Sequence, residues 1–200
     1  MSGAVITYDR AMGRWEPDAR GRLRQAALEL YAERGFEQAT VAEIAGRAGL
    51  TERTFFRHFA DKREVLFAGS EELQQLVVDA VAQAPVTAPP LAAVEAGLPA
   101  AAVVFDGGRD YARRRQGVIG ASAELREREL IKMAALATAL GEALRRRGVA
   151  EPAASLTAEA GVGVFKVAFD RWLHDPAGRS FADLVRESSV ALRAVTGGAG

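Results

Sequence analysis

The chain has no cysteine, so it can form neither a disulfide nor a thiolate-rich metal site. Its two histidines, His58 and His174, do not make an HExxH pair, and no Gly-rich phosphate loop occurs. These absences remove the usual supports of hydrolytic, phosphoryl-transfer and metal-assisted chemistry, so neither an enzyme nor a bound metal or cofactor is expected. No apolar run approaches the roughly 20 residues that cross a bilayer. The opening MSGAVITYDR also lacks the basic and apolar succession of a signal peptide, which leads to an expectation of a cytoplasmic protein with no membrane partner. Net charge is absent as well: 26 basic and 26 acidic residues cancel, so no overall field would coat nucleic acid, and any DNA binding has to arise from local placement. Arginine dominates the basic set, which suits bidentate contact with phosphate and guanine but is also what a GC-rich genome produces.

Strand-like alternation is the last thing missing. What is present is 200 residues, 49% of them hydrophobic, enough to fill one large core or a small and a medium one, with apolar residues recurring at helical spacing. The expected fold class is all-α.

Residues 40–62, TVAEIAGRAGLTERTFFRHFADK, organise the rest. Thr40 can cap a helix and Glu43, three residues on, can return the bond. Val41, Ile44, Ala45 and Ala48 then fall on one face, and Gly49 ends the run because it enters the left-handed region without steric cost. Leu50 plugs the turn, and Thr51 caps a second helix. The aromatic spacing predicts Phe55, Phe56 and Phe59 on its buried side and Glu52, Arg53, Thr54 and Arg57 on its outer face. Two short helices joined by a Gly-containing turn form a helix-turn-helix with the second helix free to read a groove, unless they are only a corner in a helical protein. Asp61 and Glu64 make a further cap-like pair that should restart helix.

Residues 23–66 resemble the DNA-binding domain of the TetR family of bacterial repressors. The resemblance rests on Ala32-Glu33-Arg34-Gly35-Phe36, the helix start at 40–45, Ala48-Gly49-Leu50-Thr51, Thr54-Phe55-Phe56-Arg57-His58-Phe59 and Asp61-Lys62-Arg63-Glu64. It implies that Glu52, Arg53, Thr54 and Arg57 face base edges, where Arg can pair with guanine O6 and N7 and Glu can accept from cytosine N4. It also implies that Thr40, Thr51, His58 and Lys62 touch phosphate. His58 has a second reading, as a packed spacer between Phe56 and Phe59. Phe56 departs from the pattern, standing where relatives usually have a tyrosine that bonds the DNA backbone.

Residues 1–16 read as a flexible arm whose Arg10 and Arg14 either reach a minor groove or are merely solvated. A three-helix DNA-binding domain should occupy 17–63, starting at Pro17 and carrying Leu23, Ala27, Leu30 and Tyr31 inward until Gly35 stops its first helix. Residues 64–200 should form a helical effector-binding and dimerisation domain. It opens with a long helix from 61 to about 83, followed by a Pro-rich loop and a 91–105 helix bent at Pro99. Asp106 to Gly108 then lead to a short 109–116 segment and a long 122–147 helix striped by Leu130, Met133, Ala137, Leu140 and Leu144. The cations of Arg145-Arg146-Arg147 complement the end of that helix. The last two helices, 152–174 and 180–195, present stripes of Val162, Phe165, Phe169 and Trp172, and of Phe181, Leu184, Ser188, Leu192 and Val195.

The resemblance implies that this last pair meets its mate in a homodimer as a four-helix bundle. Gly161 and Gly163 mark either close helix approach or a loosened pocket wall, since each costs about 1 kcal/mol in a helix relative to Ala. Phe105, Tyr111, Met133, Phe165, Phe169 and Trp172 are candidates to line an apolar effector cavity, or else plain core. The expected function is a homodimeric repressor on a roughly palindromic double-stranded operator, released by an unidentified small molecule. A ligand-independent DNA-binding dimer and an all-α enzyme are the rivals.

Overall fold

In the computed structural model, residues 18–105 and 108–197 are described, and they are helical with no strand among them. The expected arm, Pro17, and Asp106 with Gly107 lie outside the described residues.

Three helices build the head. Helix α1, Ala19–Arg34, is capped by Asp18, whose carboxylate accepts from the Gly21 N–H at 2.9 Å. Gly35 stops it at φ 85°, its N–H bonded to the Tyr31 carbonyl. Helix α2, Val41–Arg47, begins with the predicted reciprocal box: Glu43 N–H donates to Thr40 Oγ1 at 3.2 Å, and Thr40 N–H donates to Glu43 Oε2 at 3.0 Å. Helix α3, Glu52–His58, comes after a turn in which Gly49 has φ 69° and Leu50 N–H reaches the Ala45 carbonyl at 2.8 Å. Phe55 is fully buried under α3 and Phe59 nearly so. Phe56 is not: it stays 55% exposed, because on a helix it points about 100° away from Phe55 whereas Phe59 returns to the same face.

Asp61 does cap the next segment, accepting from the N–H groups of Arg63 and Glu64 at 2.8 and 3.2 Å, but no long helix starts there. Residues 62–69 coil in tight turns bonded three residues apart, and Gly69 at φ 95° resets the chain before α4, Ser70–Gln83. Val65, Leu66 and Phe67 of this connector complete the head's core with Leu23, Leu30, Ile44 and Phe55, and they are joined there by Ile119 and Leu125 from much later in the chain. The expected boundary between residues 63 and 64 therefore falls inside one packed unit.

A second core fills the larger part. Helix α5, Pro90–Gly97, tightens into a 3-10 helix, Leu98–Val104, at Pro99, which lacks the N–H an α-helix would use. Helix α6, Gly108–Ala121, is longer at its far end than expected. Helix α7, Ala123–Arg146, is capped by Ser122 and carries Leu136, Leu140 and Leu144 inward, but its Leu130 is exposed. Arg147 donates to the carbonyls of Val81, Ala84 and Pro85 at 2.6–3.1 Å, so the last of the three arginines pins the loop after α4.

Helices α8, Ala153–His174, and α9, Phe181–Thr196, close the structure. They bury Phe165, Trp172, Leu173, Phe181 and Leu184 within the same chain, while Val195 of the expected stripe is exposed. Gly161 permits a close approach to α5, since a Cβ there would collide with Val94, whereas a Cβ at Gly163 would meet open space.

Candidate nucleic-acid interface and effector cavity

The outer arc of α3 holds Glu52, Arg53, Phe56 and Arg57, with Glu52, Arg53 and Arg57 exposed to solvent. Among the described residues no hydrogen bond or ion pair ties down those three side chains. Thr54 is half-buried and turned back, its hydroxyl 3.1 Å from that of Thr51, while its N–H donates to Thr51 Oγ1 at 3.2 Å. Thr54 thus serves the helix start before it can serve a base. Exposed Thr40 and Thr51 stand at the starts of α2 and α3, their hydroxyls engaged in caps.

The other two residues expected at phosphates are placed differently. Lys62 directs its ammonium at three carbonyls, those of Phe36 at 3.0 Å, Ala39 at 3.2 Å and Glu37 at 3.3 Å, and lies 4.3 Å from the Phe36 ring centre. All three ammonium protons are accounted for, so in this conformation Lys62 braces the loop between α1 and α2 and offers nothing to a phosphate. The brace is extended by Tyr31, whose hydroxyl donates to the Lys62 carbonyl at 2.7 Å. Burial first, then the charge of Asp61, pushes the Tyr31 pKa up and keeps that donor protonated. His58 is half-buried against Phe59, and its Nε2 is buried with no partner. Desolvation, then the Arg57 and Arg20 charges, lower its pKa and favour the neutral ring.

Ion pairs fix the head on itself and on the rest. Arg47 grips Glu33 through two bonds of 2.7 and 2.8 Å, joining α2 to α1. Glu64 of the connector accepts from Arg128 and, at 3.1 Å, from Lys132, both on α7. These two bonds tie α7 to the connector below the head.

Directly behind that segment lies a cavity of about 320 Å³. Phe105, Tyr111, Met133, Phe165 and Phe169 line it; Trp172 does not. Trp172 stands behind the wall, stacked on Phe105 at 5.0 Å and covered by the Arg109 guanidinium. The connector residues Leu66 to Ser70 and Arg24 of α1 also form wall, so the cavity touches the head itself.

The polar part of the wall is hidden in the sequence. It holds Arg115, Gln116, Glu129 and Lys132, which there look like the solvated faces of α6 and α7. One signal points to it: Arg115 comes one helical turn after Tyr111 and so shares its face. Arg115 donates from Nε to the Leu66 carbonyl at 2.5 Å and lies over Phe67. Desolvation lowers its pKa, with Glu129 and Tyr111 opposing. Among the described residues, no group of three or more His, Asp or Glu side chains could hold a metal ion, and no single helix is long and apolar enough to cross a membrane.

Comparison with known proteins matches this geometry. Residues 23–68 fit the family described as bacterial regulatory proteins, tetR family, and residues 88–197 fit the family described as MftR C-terminal domain. The HTH-type transcriptional regulator TcmR of Streptomyces glaucescens is 37% identical over 75 residues, 38% of this chain and 33% of TcmR. The chain thus aligns with about a third of the length of that curated relative. A TetR-family transcriptional regulator from Syntrophomonas wolfei superposes with a TM-score of 0.62 at 16% identity, over 90% of this chain and 96% of that one. The regulator FadR of Bacillus subtilis, in complex with stearoyl-CoA, gives 0.57 at 18% identity, over 86% of this chain and 96% of that one. With its helix-turn-helix head and its helical C-terminal domain both matched, the chain belongs to the TetR family of transcriptional regulators.

Proposed function

We propose that this regulator is a homodimeric repressor that a small molecule releases from a roughly palindromic operator. The observation that carries the proposal is the shared wall: the residues bounding the cavity include the connector that holds the reading head. A ligand that fits the cavity better in the geometry unsuited to DNA must, by linkage, weaken DNA binding by the same factor. Stearoyl-CoA bound to the B. subtilis FadR supports a small-molecule effector on this fold. Repression rather than activation rests on the usual behaviour of the family. No covalent chemistry is involved, and the protein acts in the cytoplasm, where the operator is.

Base reading falls to Glu52, Arg53 and Arg57, free on the outer arc of α3. Phe56 adds an apolar surface between them that suits a thymine methyl, and Thr40 and Thr51 approach phosphates. Dimerisation falls to α8 and α9. Leu156, Gly163 and Val167 lie on one face of α8, with Leu156 66% exposed, and α9 adds exposed Val190. The apolar side chains these two helices leave in water support that reading.

Selection of fragments of the parent genome by the purified protein tests this reading. A small set of fragments sharing a two-fold motif is expected, with half-site centres about 34 Å apart or a multiple of it. Uniform recovery, or single asymmetric half-sites at saturation, would contradict it.

A further inference from the structure

The cavity wall contains a charge that its protein neighbours leave only partly answered. Arg115 comes from α6 and is half-buried in the cavity wall. Its Nε has a partner, the Leu66 carbonyl, but no hydrogen bond leaves its two terminal nitrogens among the described residues. Close by on the same helix, the Tyr111 hydroxyl and the Gln116 Oε1 are buried without a partner, although Gln116 Nε2 donates to Glu129 at 3.1 Å. Native interiors leave few such groups, and a cluster of them beside a cavity calls for an explanation. A guanidinium keeps its charge at any working pH, and its flat pair of terminal nitrogens fits one carboxylate.

The remaining charges around the cavity agree. Arg24, Arg115, Lys132 and Lys166 oppose Glu129 and Asp170. Arg24 lies over the Tyr111 ring, Lys132 is held by Glu64, Glu129 accepts from Gln116, and Lys166 and Asp170 are exposed. That leaves Arg115 as the half-buried cation of the wall whose terminal donors are free. Much of the rest of the wall is apolar and aromatic, with Phe165 and Phe169 stacked at 6.0 Å and Met133 and Leu136 also in it.

We infer that the cavity takes an organic acid, its carboxylate seated on Arg115 and its apolar body against Phe165, Phe169 and Met133. This rests on the cavity being the effector site. Because Arg115 also holds the Leu66 carbonyl of the connector, a carboxylate on its terminal nitrogens competes for the orientation of the group that anchors the reading head. The acid's charge is then the part of the ligand that reports to DNA, and its apolar body supplies affinity.

The test compares isosteres on the intact protein by calorimetry, 4-phenylbutanoate against 4-phenylbutanol and octanoate against octanol, and then repeats both pairs with Arg115→Gln and Arg115→Lys. Each acid is expected to bind wild type about ten-fold or more tightly than its alcohol, the size of a charge-assisted bond in a shielded site. Arg115→Gln should abolish or reverse that ratio while Arg115→Lys keeps part of it, a pattern that loss of the Leu66 bond alone would not produce. Equal binding of acid and alcohol to wild type, an unchanged ratio in Arg115→Gln, or no binding of either acid overturns the inference. Operator titration with the same probes separates the two claims: acid preference without any loss of DNA binding retains the Arg115 anchor and sinks ligand release, whereas equal loss with acid and alcohol does the opposite.

Discussion

Replacing Lys62 with Met keeps the aliphatic stem and removes the ammonium, and the structure places the consequence in stability rather than in DNA contact. Two of the carbonyls it serves, Phe36 O and Ala39 O, are part-buried, and the third, Glu37 O, is exposed and can turn to water. Hydrogen bonds from a charged donor contribute about 1.5–3 kcal/mol each, and lengths of 3.0–3.2 Å place these two at the lower end, for about 3 kcal/mol together. Loss of the ammonium over the Phe36 ring adds about 0.5–1 kcal/mol, and the freed side chain recovers up to about 2 kcal/mol of rotamer entropy. The net cost is about 2 kcal/mol. Urea unfolding at fixed protein concentration reads this as a drop of roughly 1 M in midpoint with the slope unchanged. The salt dependence of operator binding should stay as in wild type. A phosphate-bound Lys62 gives the opposite pattern: an unchanged midpoint with the slope of log affinity against log salt flattened by about 2 per dimer, at roughly 0.9 per phosphate. That second pattern would refute the brace.

Four other outcomes are expected. Arg53→Ala or Arg57→Ala should cost about 1–3 kcal/mol on the matched operator and relax preference at one base pair per half-site, as read by titration against single-base variants. Leu156→Glu and Val190→Glu, both on exposed positions, should leave the monomer folded but shift sedimentation toward it; unchanged dimers would move the interface elsewhere. Gly161→Ala should destabilise by about 1–3 kcal/mol because Val94 must give way, whereas Gly163→Ala, in open space, should stabilise the protomer by up to about 1 kcal/mol in thermal unfolding. Asp61 has its pKa lowered, chiefly by its bond from Arg63, so its contribution is complete above its unfolded value of about 3.9 and vanishes as pH falls through the lower folded value. Asp61→Asn should therefore lose stability at neutral pH and flatten the acid side of the stability curve; an unchanged acid side contradicts the assignment.

Much of this protein can be read from local chemistry. The caps at Thr40 and Thr51 and the stop at Gly35 depend on single residues acting within a few positions, so the sequence displays them directly. Phe56 departs from the expected burial because three nearby aromatics look like one stripe, although on a helix only residues three or four apart are neighbours. The start of α4 departs from expectation because Asp61 is a true cap that begins only a run of tight turns, and Gly69 then resets the direction. Lys62 and Arg115 lie beyond periodicity altogether: what each does is set by carbonyls brought in from distant segments, and a basic residue on a helix looks solvated until the fold covers it. The cavity is half visible in the sequence, through its aromatic residues, since the polar ones resemble surface. Trp172 shows the limit from the other side, sharing a face with Phe165 and Phe169 while serving the packing behind the wall.

Operator recognition by a dimer is best checked by an equilibrium titration of the intact protein on its selected operator and on a scrambled duplex of the same composition, with stoichiometry read by sedimentation. Two protomers per palindromic duplex are predicted, with at least about 10³-fold preference over the scrambled site at physiological salt. Equal affinity for both duplexes, or one protomer per operator at saturation, would contradict it.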